Sequence, residues 1–228
     1  MEIAKLFDEF FPTVGISQPY YTEAEVRFIR TKMCKFVAEV FIFNRRMNLV
    51  AAETPEQIAK GHVLDCLAAV EFLQQKILEG EKSFVAADLG SGAGFPGIPL
   101  ACAFPKVEWT LIERMEKRVT FLMGTVAQLG LTNINVEQKD FLDLPENTFD
   151  FVTFRAFRPL GKTIVKGILR LLKPGGTALA YKGKIENILE EMQNVADLLP
   201  SYKTFPLNCS FLPGRERHLV TFTKPAEN

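Results

Sequence analysis

A glycine-rich stretch over residues 85–97 constrains the fold of this chain more than any other feature. Small apolar residues lead to Asp88, and glycines then follow at every second position, at Gly90, Gly92 and Gly94. This order is typical of a buried strand that enters a tight turn, where backbone without side chains can approach a ligand closely. The stretch therefore predicts a binding loop for a nucleotide-like cofactor.

Predicted strands and helices alternate from residue 84 onward. Strands are expected at 84–87, 108–112, 135–138, 149–153 and 177–181, with two more near 202–207 and 218–223. The intervening helices are expected at 98–103, 114–129, between 153 and 172, and at 185–198. This alternation predicts an α/β fold with a mostly parallel sheet and helices on both faces. Ligands of such sheets bind at the carboxyl ends of the strands.

The first 80 residues carry helical signals instead. Thr22 and Glu25 fit a capping box, and apolar residues recur at helical spacing behind them. A second helix start is predicted at Thr54, with Pro55 at the first helical position, and residues 62–78 carry another apolar stripe. The pattern breaks at residues 80–83. We therefore predict a helical N-terminal segment at 1–80 that packs on a core at 81–228.

Composition narrows the class of protein. The 228 residues include 27 basic and 27 acidic side chains, which argues against binding a polyanion through the whole surface. No apolar run is long enough to span a membrane, the first residues do not resemble a signal peptide, and no Cys-x-x-Cys pair occurs. We therefore predict a cytoplasmic protein without a metal site or membrane partner. The absence of heptads predicts a monomer.

Residues 155–184 are locally basic, since this range contains eight Lys or Arg residues and no Asp or Glu. Two interpretations remain open at this point. The run can be a solvated helix face with its loop ends, as most charge runs are. It can also be a patch that faces the phosphates of a nucleic acid.

The acidic residue of the loop bears on the identity of the cofactor. An anion just before the glycines is unfavourable beside a pyrophosphate, but it suits S-adenosylmethionine, which carries an ammonium and a sulfonium. Asp88 would then contact the cofactor or hold the loop; a simple turn residue is the alternative. Glu113 ends the next predicted strand, where a carboxylate can accept ribose hydroxyls. The same charge also favours the start of a helix, and the two roles are compatible.

Two further positions follow predicted strands. Asp140, Phe141 and Leu142 come after the third strand and could contact an adenine, although a simple connecting loop is the alternative. Arg155 comes after the fourth strand, where its guanidinium could bind guanine O6, a phosphate or the cofactor carboxylate. A surface salt bridge of little energetic value is the alternative for Arg155.

Short motifs extend this pattern over most of the chain. They are the loop at 88–99, the Asn-x-x-x-Asn-Leu pattern within 43–49, His62-x-x-Asp65, Arg155-Ala156-Phe157, Lys182-Gly183 and Glu216-Arg217-His218. In this order they resemble the glucose-inhibited division protein B family, which are bacterial small-subunit ribosomal RNA methyltransferases (methyltransferase G) that methylate a guanine at N7. The resemblance implies a Rossmann-like class I methyltransferase fold, S-adenosylmethionine as cofactor, and 16S ribosomal RNA or the small subunit as partner.

The resemblance also implies individual roles. Gly90 and Phe95 would line the cofactor pocket, although a core position is the alternative for Phe95. Arg155 would lie between cofactor and substrate as the catalytic residue. Together, residue patterns and resemblance predict cofactor contacts from Asp88, Gly90, Ser91, Gly92, Gly94, Phe95, Glu113, Asp140, Phe141, Leu142 and Arg155. The predicted RNA contacts are Arg45, Arg46, Arg158, Lys182, Arg215, Arg217 and His218.

Guanine N7 carries a lone pair and no proton, so its methylation needs no general base. We therefore expect catalysis by proximity and orientation. His62 and His218, the only histidines, are poor candidates for bases, and a packed structural role suits His62 equally well. Three alternatives remain: an NAD-dependent oxidoreductase, a small-molecule methyltransferase, and a non-catalytic RNA-binding or assembly module.

Overall fold

A seven-stranded sheet forms the centre of the molecule. The computed structural model describes residues 3–78, 83–157, 159–199 and 201–226. Its strands are β1 (Val85–Leu89), β2 (Glu108–Glu113), β3 (Ile134–Gln138), β4 (Phe149–Arg155), β5 (Leu172–Lys182), β6 (Lys203–Pro206) and β7 (His218–Thr223). Their order is β3-β2-β1-β4-β5-β7-β6, and β7 is antiparallel to both of its neighbours. The order reverses between β1 and β4, which places the ligand-binding crevice at that point.

Helices cover both faces of this sheet. The helices of the strand-rich part are α6 (Gly97–Ala103), α7 (Glu116–Leu129), α8 (Lys162–Leu171) and α9 (Ile185–Gln193). Successive residues of β1 face opposite sides, so Ala86 packs into one apolar cluster and Ala87 into the other. The first cluster includes residues of α6 and α7, and the second includes residues of α8 and α9. The α/β architecture predicted from the alternation is therefore confirmed.

The N-terminal part is helical, as predicted. Its helices are α1 (Ile3–Phe10), α2 (Glu23–Met47), α3 (Pro55–Ile58), α4 (Asp65–Leu67) and α5 (Val70–Leu78). Capping boxes at Thr22 and Thr54 start α2 and α3, each with a glutamate or glutamine three residues later. Apolar residues of this segment, such as Phe36, share one buried cluster with Ile98 and Trp109 of the core. The predicted boundary at residues 80–83 lies largely outside the described residues.

The stripe at 62–78 does not form one continuous helix. A π-helical turn over Ala59–Leu64 precedes α4, and a further break separates α4 from α5. Such π turns widen the backbone and occur frequently at functional sites. Here the widened turn contains Gly61 and His62, which both face Arg155 (see below). Apolar periodicity predicted the buried face correctly, but it does not distinguish a π turn from an α-helix.

Candidate active site

The glycine loop follows β1 at the carboxyl edge of the sheet. The amide of Gly90 donates to the carbonyl of Ile112 at 2.8 Å, which ties the loop to the end of β2. Gly90 has a φ of +66°, in the left-handed region where a side chain is strained. A Cβ atom there would lie 2.4 Å from Cδ2 of Phe157. Because Gly90 has no side chain, the loop backbone can approach the Phe157 ring closely. The sequence predicted such a close approach for a ligand.

Asp88 is fully buried beneath this loop. Its Oδ2 accepts from the amide of Gly97 at 3.0 Å, where α6 begins, while Oδ1 has no hydrogen-bond partner among the described residues. Desolvation raises the pKa of this carboxyl to about 7. Ser91 is buried as well, and its hydroxyl donates to the Asp88 carbonyl at 2.9 Å. Of the two roles predicted for Asp88, the geometry favours holding the loop.

Glu113 ends β2 and is nearly as buried as Asp88. Its Oε2 accepts from the amide of Gly92 at 3.0 Å, and its Oε1 accepts from the amides of Arg114 and Met115 at 2.8 and 2.9 Å. The carboxylate thus orients the glycine loop and satisfies free amides before α7, as its charge near a helix start predicted. Arg118 Nη1 also lies 3.8 Å from Oε2.

A cavity of about 340 Å³ opens above Glu113, and we call it the cofactor cavity. Its walls include four predicted cofactor residues, which are Gly90, Glu113, Asp140 and Phe141. Asp140 caps the short 3-10 turn Phe141–Asp143 by accepting from the Leu142 amide at 3.1 Å. The aromatic ring of Phe141, the backbone of the glycine loop and the Glu113 carboxylate suit an adenosyl group, which needs an apolar wall and a hydroxyl acceptor.

Several predicted cofactor residues lie away from this cavity. Phe95 is buried in the core, with its ring centroid 5.0 Å from that of Phe36 and 5.2 Å from that of His62. This is the core position that had been the alternative for Phe95. The side chain of Leu142 is half exposed and lies beside α8. Asp88, Ser91, Gly92 and Gly94 support the loop from beneath or from its far side and do not line the cavity.

Arg155 lies at the end of β4, and the N-terminal segment holds its side chain. Its Nε lies 2.9 Å from Oδ2 of Asp65, its Nη2 donates to the Gly61 carbonyl at 2.8 Å, and its Nη1 lies 3.0 Å from Nδ1 of His62. Only 16 % of the side chain is exposed. These contacts use three of the five N–H groups of the guanidinium. The alternative for Arg155, a surface salt bridge of little energetic value, is therefore not what the structure shows. Its pair with Asp65 is buried, and two further contacts orient the guanidinium.

Asp65 joins two arginines. Besides Arg155, it binds Arg217, whose Nε donates to Oδ1 of Asp65 at 2.6 Å. The carboxylate is 2 % exposed and therefore depends on both cations to remain buried as an anion. Sequence reasoning missed this role, since Asp65 entered only through the family resemblance. The only other signal in the sequence was its place on an otherwise apolar helical stripe.

His62 is neutral in this site. Burial, followed by the nearby charges of Arg155 and Arg217, lowers its pKa to about 4. Because a guanidinium can only donate, Nδ1 of His62 accepts the bond from Arg155 and the ring proton resides on Nε2. The ring also packs on Phe95. His62 is thus a packed histidine with a structural role, which was one of the two interpretations of its sequence. It also orients Arg155.

Ala156 connects Arg155 to Phe157 with a strained backbone. Its φ is +50°, which is unusual for a residue with a Cβ atom and tends to occur at functional sites. Arg155 and Phe157 both line one cavity, and Phe157 also lines the cofactor cavity. Phe157 packs edge-on against Phe141, with ring centroids 5.5 Å apart, and lies over Gly90. Ala156 and Phe157 line the cofactor cavity on one side and a second cavity on the other.

This second cavity, the β4–β5 cavity, has a volume of about 460 Å³. It opens at the carboxyl ends of β4 and β5, and Arg155, Lys182 and Glu191 supply its polar groups together with Asp65 and Arg217. A third and larger opening of about 1070 Å³, which we call the N-terminal groove, lies between the end of α2, the π turn and the 212–217 loop. Arg155 and Arg217 contribute to both the β4–β5 cavity and the N-terminal groove.

The predicted RNA contacts are distributed unevenly around these openings. Arg215 and Arg217 line the N-terminal groove, and Lys182 lines the β4–β5 cavity. Arg45 and Arg46 are exposed at the last turn of α2. His218 instead is buried, and its Nδ1 lies 2.7 Å from the carbonyl of Gly183, so it braces the end of β5. Arg158 lies outside the described residues.

The fold and the loop now define a class. A crystal structure of the tRNA (m1A58) methyltransferase TrmI from Aquifex aeolicus superimposes with a TM-score of 0.54, at 14 % identity over 69 % of each chain. At this identity the likeness concerns the fold alone. The sheet order with its antiparallel β7 is thus a fold that this chain shares with a methyltransferase.

Sequence comparison identifies the family within that class. Residues 29–220 match the model of the rRNA small subunit methyltransferase G family. A ribosomal RNA small subunit methyltransferase G of Treponema pallidum (strain Nichols) is 42 % identical over 84 % of this chain and 83 % of its own length. Its counterpart from Treponema denticola is 37 % identical over 83 % of this chain and 84 % of its own length. The chain belongs to this family, which confirms the predictions of family, enzyme class, fold and cofactor.

Proposed function

We propose that this protein transfers a methyl group from S-adenosylmethionine to N7 of a guanine in 16S ribosomal RNA. The observation that carries the proposal is the pair of cavities at the carboxyl edge of the sheet, which share Ala156 and Phe157 as walls. A methyl donor in the cofactor cavity and a base in its neighbour would be in reach of one another. The names of the related proteins supply the substrate class.

The cofactor residues are proposed from the geometry of the cofactor cavity. Glu113 would accept a ribose hydroxyl, the Phe141 ring would pack on the adenine, and the Gly90 backbone would border the methionine part. Asp88 would act indirectly by holding the loop to α6. When bound, S-adenosylmethionine supplies an electrophilic methyl group on a sulfonium. Among the described residues no group of three or more His, Cys, Asp or Glu side chains could hold a metal.

The protein's contribution to the reaction would be positional. Guanine N7 has no proton to remove, so the residues need only hold the two reacting groups in line and exclude water. Arg155 would bind the substrate at guanine O6 or at a flanking phosphate, because a donor at N7 itself would block the nucleophile. The low pKa of His62 fits this scheme, because a neutral His62 serves as an acceptor for Arg155 and not as a base.

The RNA surface would extend from the β4–β5 cavity into the N-terminal groove. Arg45, Arg46, Arg215 and Arg217 are proposed to bind phosphates there, and RNA loops with unstacked bases are the usual targets of sequence-specific recognition. A monomer in the cytoplasm remains our proposal for the working state. Among the described residues, no helix has both the length and the apolar character needed to span a membrane.

Labelled methyl incorporation tests the proposal. Small subunits and naked 16S RNA from cells that lack the enzyme, together with a total metabolite extract, are each incubated with labelled S-adenosylmethionine, and the product is mapped. We expect label at one guanine of the RNA and cleavage typical of 7-methylguanosine. Label in a metabolite alone would indicate a small-molecule methyltransferase. Cofactor binding without transfer to any fraction would indicate a non-catalytic module.

The variant Arg155→Ala adds a residue-level test. It should fold and bind S-adenosylmethionine with near wild-type affinity, because Arg155 does not line the cofactor cavity. Methyl transfer to the RNA should fall at least about 100-fold, since a misplaced substrate costs about that much. Wild-type turnover by this variant would remove Arg155 from the site.

A further inference from the structure

The β4–β5 cavity contains two carboxylates that differ in their free hydrogen-bonding capacity. Both oxygens of Asp65 are bound by arginines, with Oδ2 at Arg155 and Oδ1 at Arg217. Glu191, from α9, uses only Oε2, which accepts from Lys182 Nζ at 2.5 Å and from the Leu160 amide at 3.0 Å. Among the described residues nothing hydrogen-bonds to Oε1 of Glu191. This cavity therefore presents one oriented carboxylate oxygen to a ligand.

The free oxygen is held in place before any ligand arrives. Lys182 is 14 % exposed and Glu191 is 24 % exposed, so their ion pair is largely shielded from solvent. The bond from the Leu160 amide joins the pair to the loop before α8, which restricts the Glu191 rotamer further. A carboxylate oxygen that is restricted and partly desolvated distinguishes ligand donors from ligand acceptors. If it faces an acceptor, the oxygen stays without a hydrogen bond, which is costly.

We propose that the β4–β5 cavity binds the target guanine base and that Oε1 of Glu191 accepts hydrogen bonds from guanine N1–H and the 2-amino group. The inference rests on the proposed function and names a specificity residue that the motifs do not contain. The volume of about 460 Å³ lies within the usual range for small-molecule sites, about 300–1,000 Å³. Enzymes that act on a base commonly take it out of its stack and read its Watson–Crick edge in such a pocket.

The position of the cavity accounts for which guanine edge faces the cofactor. The sheet order places β2 and β1 on one side of β4, beneath the cofactor cavity, and β5 on the other side. Glu191 lies on the β5 side. A guanine whose N1 and 2-amino groups point toward Glu191 therefore directs its opposite edge, which contains N7, toward the cofactor cavity. O6 then lies between the two edges, where Lys182 or Arg155 can donate to it.

The same arrangement excludes adenine. Adenine N1 is an acceptor, so its lone pair would face the Glu191 carboxylate, and its 6-amino group would face the donors Lys182 and Arg155. Both mismatches place an acceptor against an acceptor or a donor against a donor in a partly buried site. A purine site that reads these groups rejects the wrong base by far more than a site that reads shape alone.

Inosine provides a direct test, because it differs from guanosine only by the missing 2-amino group. The modified position is first mapped, and that guanosine in a 16S fragment is then replaced by inosine. Wild-type enzyme should methylate the inosine fragment about 10- to 100-fold more slowly, since it loses a hydrogen bond to a charged acceptor. Glu191→Ala should methylate the guanosine fragment about as slowly as wild type methylates the inosine fragment, or more slowly. Its own guanosine-to-inosine rate ratio should fall to about one.

Glu190→Gln is the matched control, because Glu190 is the exposed neighbour of Glu191 on α9. It should keep both the wild-type rate and the wild-type rate ratio. Glu191→Gln preserves the side-chain volume in case removal of the pair with Lys182 prevents folding, and its ratio should fall below that of wild type. Thermal unfolding and S-adenosylmethionine affinity identify variants that are merely unstable.

The outcomes separate the two proposals. If wild-type enzyme does not methylate the guanosine fragment at all, the proposed function fails. If it methylates guanosine and inosine fragments equally, or if Glu191→Ala and Glu191→Gln keep the wild-type ratio, only the guanine pocket fails. A purely structural Glu191–Lys182 pair would lower the stability and the rates on both fragments equally, and that result also overturns the pocket.

Discussion

The two cavities at the sheet edge are built in different ways. The described residues that line the cofactor cavity lie within 90–157, and Glu113 binds the glycine loop 21 residues away and the amides of the next two residues. The β4–β5 cavity depends on distant segments. Arg155 contacts His62 across 93 residues, and Arg217 contacts Asp65 across 152. The described residues that line the cofactor cavity therefore all belong to the core, whereas the β4–β5 cavity also takes Asp65 from the N-terminal segment.

This difference indicates which part of the molecule determines specificity for the substrate. The cofactor cavity is lined by a backbone loop, a carboxylate and aromatic rings of the core. In the β4–β5 cavity, Asp65 of the helical segment orients two arginines of the core, Arg155 and Arg217. We infer that the N-terminal segment contributes to the substrate side of the reaction and leaves cofactor binding to the core. The variants below test that division, beginning with the largest expected effect.

Asp65→Asn should break the β4–β5 cavity and spare the cofactor cavity. The amide has one acceptor oxygen and no charge, so it cannot hold Arg155 and Arg217 together. Methyl transfer should fall at least about 100-fold, and unfolding free energy should drop by about 3 kcal/mol, because a buried charge pair is broken. Calorimetry should show S-adenosylmethionine affinity within about twofold of wild type. Asp197→Asn, in an exposed pair with Lys162, is the control and should change neither activity nor affinity.

Gly90→Ala should break the cofactor cavity and spare the β4–β5 cavity. The new Cβ would lie 2.4 Å from the Phe157 ring, and a φ of +66° strains any residue with a side chain. S-adenosylmethionine affinity should fall about tenfold, with a smaller effect on stability. Gly124→Ala on α7 is the control, since nothing lies within 4 Å of its added Cβ. Unchanged affinity in Gly90→Ala would show that the cofactor does not approach this loop.

His62 separates orientation of Arg155 from proton chemistry. His62→Asn keeps an acceptor near Nδ1 and should retain methyl transfer within about threefold, whereas His62→Ala should lose about tenfold because Arg155 becomes less restrained. A general base would instead be abolished equally by both substitutions. Rates measured on the same RNA at neutral pH distinguish the two outcomes.

The pH dependence of stability checks the state of His62. Its pKa in the folded protein, about 4, lies below the ordinary value of 6.5, so the folded state favours the neutral ring. The stability it contributes is fully present above pH 6.5 and is lost as the pH falls through 4. His62→Asn should remove this component of acid destabilisation. A wild-type acid profile in that variant would mean that the pKa of His62 does not change on folding.

The same contrast explains what could be predicted from the sequence. The strand, the glycine spacing and Glu113 are local patterns, and the structure places Gly90 and Glu113 at one cavity. The capping boxes at Thr22 and Thr54 were equally predictable, since each depends on four consecutive residues. A motif of a few consecutive residues determines its own local backbone geometry, and it can therefore be predicted from the sequence.

Long-range pairs could not be predicted in this way. Nothing in the spacing of Asp65 and Arg217 shows that they meet, and Glu191 lies outside every motif. The π turn at Ala59–Leu64 has the same apolar periodicity as a helix. Phe95 also shows the limit of local reasoning, because its place in the loop suggested a cofactor contact while its side chain points into the core. The direction of a loop side chain depends on what packs around it.

Asp88→Asn should have the smallest effect on methyl transfer, and it concerns the support of the cofactor loop. The pKa of Asp88, about 7 in the folded protein against an ordinary value of 3.8, means that the folded state favours the protonated carboxyl. Its contribution to stability is present below pH 3.8 and is lost as the pH rises through 7. Asn cannot ionise, so wild type should become less stable relative to Asp88→Asn between about pH 4 and 8, by up to about 4 kcal/mol. Denaturant unfolding across that range measures the difference. A change in the other direction would show that Asp88 holds Gly97 as a stabilised anion, and the loop would then depend on charge in the same way as the β4–β5 cavity.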